Sequence, residues 1–262
     1  MLYSTKTIKK IPIILALAFA PFFFAHAQTA STASTDTLQS DLSRLTESLD
    51  LLNAIKTGKR PTDATSLQSA LNNVISISEE EIRSVSMQLG AHSELTDEEI
   101  SLQDDLMADL ASLKLHIKSV RTDTTQESGI SAVISIAQKF KEWRDGTYTD
   151  TMARAVRFIS VFENEDSVKA GNGRLASIVK DTKKIRSLLP GMRSAPFMSL
   201  IKKSQDELKK AVDLNARAKA SLLSETNEAE DEETIDEMVR QSNALVNAAY
   251  DDFITMSRLI RK

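Results

Sequence analysis

The sequence predicts an all-α fold, an elongated bundle of roughly six to eight antiparallel helices in one body or in two subdomains. Three observations carry this. Leu, Ile, Ala and Val dominate the apolar set and recur in steps of three and four. The chain of 262 residues has only 7 Gly and 5 Pro, so it has few places to turn. Aromatic residues make up only 5% of it, and no stretch alternates apolar and polar residues as a half-buried strand does.

Taken in order, the first stripe is Leu38, Leu42, Leu45, Leu49 and Leu52, ended by Gly58 with Pro61 beyond it. A second helix is expected over 62–89 through Leu67, Leu71, Val74, Ile82, Val85 and Leu89, closed by Gly90. Thr96 and Glu99 form a capping box, in which hydroxyl and carboxylate satisfy amide donors at a helix start. The third helix then runs through Leu106, Leu110, Leu113, Ile117 and Val120. Residues 121–129 are polar, and the expected division lies there, between an N-terminal helical part over 36–122 and a C-terminal bundle over 130–262.

A shorter helix is expected over 130–145, a turn at Gly146, and another helix from Asp150 through Met152, Val156, Ile159 and Phe162. Gly171-Asn172-Gly173 is expected to break or kink that helix, and Pro190-Gly191 to end the pattern that resumes at Leu175. From Pro196, the residues Ser204, Leu208, Ala211, Asn215, Ala218 and Leu222 form a narrow seam that lets a neighbour approach closely. The last helix carries Ile235, Val239, Ser242, Val246, Ala249, Phe253, Met256 and Ile260 in a coiled-coil-like rhythm.

The N-terminus reads as a targeting segment. Lys6, Lys9 and Lys10 precede an uncharged run from Ile11 to Ala25 that ends in Ala25-His26-Ala27. This is the layout of a secretory signal peptide, with cleavage expected between Ala27 and Gln28 and a flexible leader over 28–35. The run is short for a membrane span and holds Pro12 and Pro21, so the mature form is expected not to cross a membrane. The chain has no Cys, so it has neither a lipid-acceptor thiol nor a disulfide framework. It also lacks an Asn-x-Ser/Thr acceptor site, and the expected setting is a secreted or periplasmic place at a bacterial envelope.

Charge is unevenly distributed. Removing residues 1–27 takes away three lysines and no acid, so net −4 becomes −7. Residues 28–116 carry 6 basic and 15 acidic groups, 117–168 carry 7 and 8, 169–219 carry 13 and 4, and 220–262 carry 4 and 10. The third block is therefore +9 in an acidic protein. Opposite-sign blocks in a compact bundle are expected to face one another. The alternative is an exposed basic face for an anionic envelope surface, with Lys180, Lys183, Lys184, Arg186, Lys202, Lys203, Lys209 and Lys210 as its contacts.

Chemical motifs are scarce. After residue 27 the only histidines are His92 and His116, and Leu89 and Leu113 stand where a Glu-x-x-His metal pair needs acids. Residues 171–176 match the letters of a dinucleotide fingerprint but follow an acidic helix instead of a buried strand. The carboxylate clusters at 79–81, 98–99, 104–109 and 225–237 suit solvated faces and helix starts. No serine sits in a nucleophile elbow, so no catalytic, cofactor or metal residue is assigned.

Phe140, Trp143, Tyr148, Phe158 and Phe162 are expected to plug the core at the Gly146 turn. The leading functional expectation is a non-catalytic exported bundle acting through a protein partner or an anionic surface at the envelope, with no nucleic acid. The alternative is a small-ligand or sensor bundle with a pocket at Phe140, Trp143 and Phe162.

Overall fold

The computed structural model describes residues 64–127, 129–188, 194–224 and 229–260, without the side chains of 184–188, 194, 229–234 and 260. All belong to one compact unit, residues 61–262. The expected signal peptide, the leader and the first leucine stripe lie outside the described residues, as does the Pro190-Gly191 stop. The described chain is helical, with no strand.

Helix α1 (Ala64–Leu89) buries Leu67, Leu71, Val74, Ile75, Ile82, Val85 and Leu89 along one face. Its last carbonyls are taken up by Gln103, whose amide donates to Leu89 O at 2.6 Å and to His92 O at 3.3 Å. Helix α2 (Asp97–Gln126) starts on the Thr96–Glu99 capping box, with both reciprocal hydrogen bonds present. It runs through the stretch expected as a linker up to Gln126, because Thr124 is buried there. The Thr124 hydroxyl donates back to Val120 O at 2.8 Å, and Gln68 reaches across to Thr124 O.

Helix α3 (Ile130–Trp143) passes through a π turn (Arg144–Tyr148) into α4 (Thr149–Leu188) without leaving the helical path. The turn expected at Gly146 is thus one wide turn of a continuous rod. Thr149 Oγ1 donates to Arg144 O at 2.6 Å across it. The widened turn re-phases the rod so that Phe140, Tyr148 and Met152 are all buried.

No break occurs at Gly171-Asn172-Gly173 either, and α4 continues for 40 residues. Each glycine costs about 1 kcal/mol of helix propensity relative to Ala. Burial of Val168 and Leu175 on either side outweighs that, and at Gly171 helix α5 (Ser194–Leu223) packs tightly against α4. A methyl at Gly171 would stand 2.8 Å from Leu208 Cδ2. Helix α6 (Ala229–Ile260) completes the structure.

The described residues form five helical rods: α1, α2, the α3–α4 rod, α5 and α6. They pack in two three-helix layers that share the long rod. In the first layer α1 and α2 are antiparallel, paired from Gln103–Leu89 to Arg121–Ser76. The lower half of the rod runs antiparallel to α2, from His116–Trp143 to Asp109–Arg154.

In the second layer α5 runs antiparallel to both neighbours, by Glu165–Lys219 and Gly171–Leu208 on one side and Ala211–Ser242 and Lys203–Asp252 on the other. α4 and α6 are parallel, joined at Asn164–Asn243 and Arg157–Asp236. The α5 seam is inward as expected, with Ser204, Leu208, Ala211, Asn215 and Ala218 buried and Leu222 half-buried.

Candidate functional site

In the first layer five cations sit in ion pairs, whereas Lys114, Lys118 and Lys139 are exposed without one among the described residues. Arg83 pairs with Glu80, Arg121 with Glu79, Lys141 with Asp145, Arg144 with Glu81 and Arg154 with Asp109. Tyr148 is buried and hydrogen-bonded to Glu81, and burial together with that carboxylate raises its phenol far above the ordinary tyrosine range.

Where the layers meet, Lys219 of α5 lies 2.7 Å from Glu99 of α2 and 2.7 Å from Glu165 of α4, over the Phe162 ring at 4.7 Å. Burial opposes the charged form of all three groups. The hydrogen bonds and attraction between them outweigh it, so Glu99 and Glu165 titrate below the usual carboxylate range and Lys219 above the usual amine range. Glu99, expected as half of the capping box, keeps that role and is also only 3% exposed. Its partner lies 120 positions away, beyond the reach of any local pattern.

Among the described residues, three cations of the basic block meet a carboxylate. Lys169 pairs with Glu165 on its own helix, Lys203 bridges Asp252 and Glu207, and Lys219 makes the junction. Lys203 raises its own amine pKa chiefly through the hydrogen bond to Asp252. Arg174, Lys180, Lys183, Lys202, Lys209, Lys210 and Arg217 are exposed, with no ion pair among the described residues. The Lys184 and Arg186 side chains lie outside the described residues.

Four of the exposed lysines share one face. A shallow groove between α4 and α5 has Leu175, Ala176, Val179 and Val212 along it, with Gln205 and Lys209 at its edge. Lys183 follows Val179 by four residues and Ala176 by seven, and Lys180 follows Ala176 by four, so both border the groove from α4. On α5, Met198, Lys202, Gln205, Lys209 and Val212 repeat in four-three steps and form a second stripe beside the buried seam. Asp206 and Asp213 are exposed, each four residues on from one of these lysines, on the outer flank of α5. A second shallow depression on α5 collects Lys202, Lys203 and Lys210 with Ser199, Asp206 and Glu207.

The aromatic residues expected at the Gly146 turn fall into two separate clusters. Phe140, Trp143, Tyr148 and His116 form one stack at the π turn, with His116 and Trp143 rings 4.3 Å apart. Phe158, Phe162 and His92 form another at the layer junction. On a rod rising about 1.5 Å per residue, Phe162 is some 30 Å from Phe140, and both rings are buried in packed side chains. Among the described residues no group of three or more His, Cys, Asp and Glu is arranged to hold a metal, and no helix is long and apolar enough to cross a membrane.

Comparison with protein-family models, with curated proteins and with solved structures finds no significant match to this chain.

Proposed function

We propose that the protein is an exported, non-catalytic helical bundle that acts by contact with an anionic surface at the cell envelope, through the basic face of α4 and α5. The observation that carries this reading is the set of seven exposed cations on α4 and α5 that have no described ion-pair partner, four of them on one face, in a chain whose net charge is −4. Such a face attracts polyanions at long range and loses that attraction as salt shortens the Debye length to about 8 Å at physiological ionic strength. Export rests on residues 1–27.

The chain from Gln28 keeps every described residue and is the form to assay. Expected is retention on anionic vesicles or on anionic cell-wall material at low salt, with release at high salt. Absence of binding to both at low salt would reject the reading.

A further inference from the structure

The basic face is not purely polar. Met198 and Val212 are 43% and 42% exposed, on a helix with a complete buried seam of its own. They stand at the two ends of the stripe that carries Lys202 and Lys209, about 21 Å apart along α5. Val212 also lines the groove whose α4 wall is Leu175, Ala176 and Val179. Lys202 and Lys209 thus lie between two exposed apolar groups on one stripe, and Lys180 and Lys183 border it from α4. Four lysines stand against the two flanking carboxylates Asp206 and Asp213, so the face stays net positive.

The chemistry of the surface distinguishes two kinds of anion. A soluble polyanion satisfies the ammonium groups and leaves Met198 and Val212 in water. A phospholipid leaflet satisfies both, because the lysine stems lie along the boundary with their heads at the phosphates while short apolar side chains enter the acyl edge. We propose that this face seats on the headgroup layer of an anionic phospholipid leaflet, with Lys180, Lys183, Lys202 and Lys209 on lipid phosphates and Met198 and Val212 inserted between them. This rests on the anionic-contact reading above and names the surface contacted.

The absence of Cys makes the test clean, since a single introduced thiol labels at one place. The chain from Gln28 is titrated with vesicles of phosphatidylglycerol and phosphatidylcholine in equal parts and, separately, with soluble polyphosphate. Expected is vesicle binding that weakens about tenfold in the Met198→Ser/Val212→Ser double variant while polyphosphate binding does not change, since only the leaflet receives the apolar groups. Each of Lys202→Gln and Lys209→Gln lowers vesicle affinity about fivefold. A polarity-sensitive dye on Val212→Cys shifts to the blue on vesicles and not on polyphosphate.

Equal vesicle binding by the double variant, or no dye shift on bound vesicles, overturns the leaflet proposal. Binding to polyphosphate without vesicle binding overturns the leaflet proposal and leaves the anionic-contact reading standing. Binding to neither overturns both. Circular dichroism of each variant checks that the helices are retained.

Discussion

The two layers are built on the same plan and treat polar groups in opposite ways. In the first layer, buried Ser78 and Thr124 return their hydroxyls to carbonyls of their own helix, and five of its cations find carboxylates. In the second, the seam between helices is itself polar. Asn164 donates to Asn243 Oδ1 at 2.8 Å, and Ser242 Oγ lies 2.7 Å from Asn164 Oδ1 and 3.0 Å from Ala211 O. Ser204 Oγ, Asn215 Oδ1, Glu207 Oε2 and Asp252 Oδ2 are buried there without a hydrogen-bond partner among the described residues.

A layer closed on itself in this way reads as scaffold. One with polar groups between its helices and unpaired cations outside carries a cost in stability that packing alone does not require.

The largest expected effect lies where the layers join. Lys219→Met leaves Glu99 buried without its cation and should lower stability by about 3 kcal/mol, measured by urea unfolding. The contribution depends on pH in a defined direction. Glu99 and Glu165 have folded pKa values below their unfolded ones, so their share is present above about pH 4.3 and is lost as pH falls further. The folded pKa of Lys219 is raised, so its share is complete below about pH 10.4 and is lost as pH climbs beyond. Wild type and variant should therefore differ by a constant amount between those limits and converge outside them.

Next in size is the contrast between buried polar groups. Asn164→Ala removes the partner of Asn243 and leaves Ser242 only the Ala211 carbonyl, and should cost about 2 kcal/mol, whereas Thr124→Val, which removes a bond within one helix, should stay within about 1 kcal/mol. Equal losses would mean that the second layer owes nothing to its polar seam.

The two glycines of the long rod offer a smaller contrast. Nothing lies within 4 Å of a methyl added at Gly173, so Gly173→Ala should stabilise by about 1 kcal/mol. Gly171→Ala gains the same propensity but must displace buried Leu208, and it should be about 1 to 2 kcal/mol less stable than Gly173→Ala. Thermal unfolding of the two variants side by side measures the difference.

Much of this architecture could be read from the chain before any fold was known. Apolar spacing placed the buried faces of α1, α2, α5 and α6, and the Thr96–Glu99 box placed the start of α2, because these signals lie within a few residues of what they determine. The glycine positions misled, since Gly lowers helix propensity without forbidding helical dihedrals, and burial along the rod outweighs a cost of about 1 kcal/mol. Ion pairing was illegible for a different reason. Whether Lys203 or Lys209 meets a carboxylate depends on which helix is its neighbour, and neighbours are set by packing across the chain. The same holds for the expected pocket, whose aromatic residues share a periodicity and not a place.

The most direct test of the contact surface compares the two layers with equal changes of charge. In the chain from Gln28, one variant replaces Lys180, Lys183, Lys202 and Lys209 with Gln, and the other replaces Arg83, Arg121, Lys141 and Arg154 with Gln. Binding to anionic vesicles is measured at low salt by sedimentation. The expected result is a loss of at least about a hundredfold for the first variant and a change of no more than severalfold for the second. Equal losses in the two variants would mean that net charge alone drives binding and that the α4–α5 face is not the contact surface.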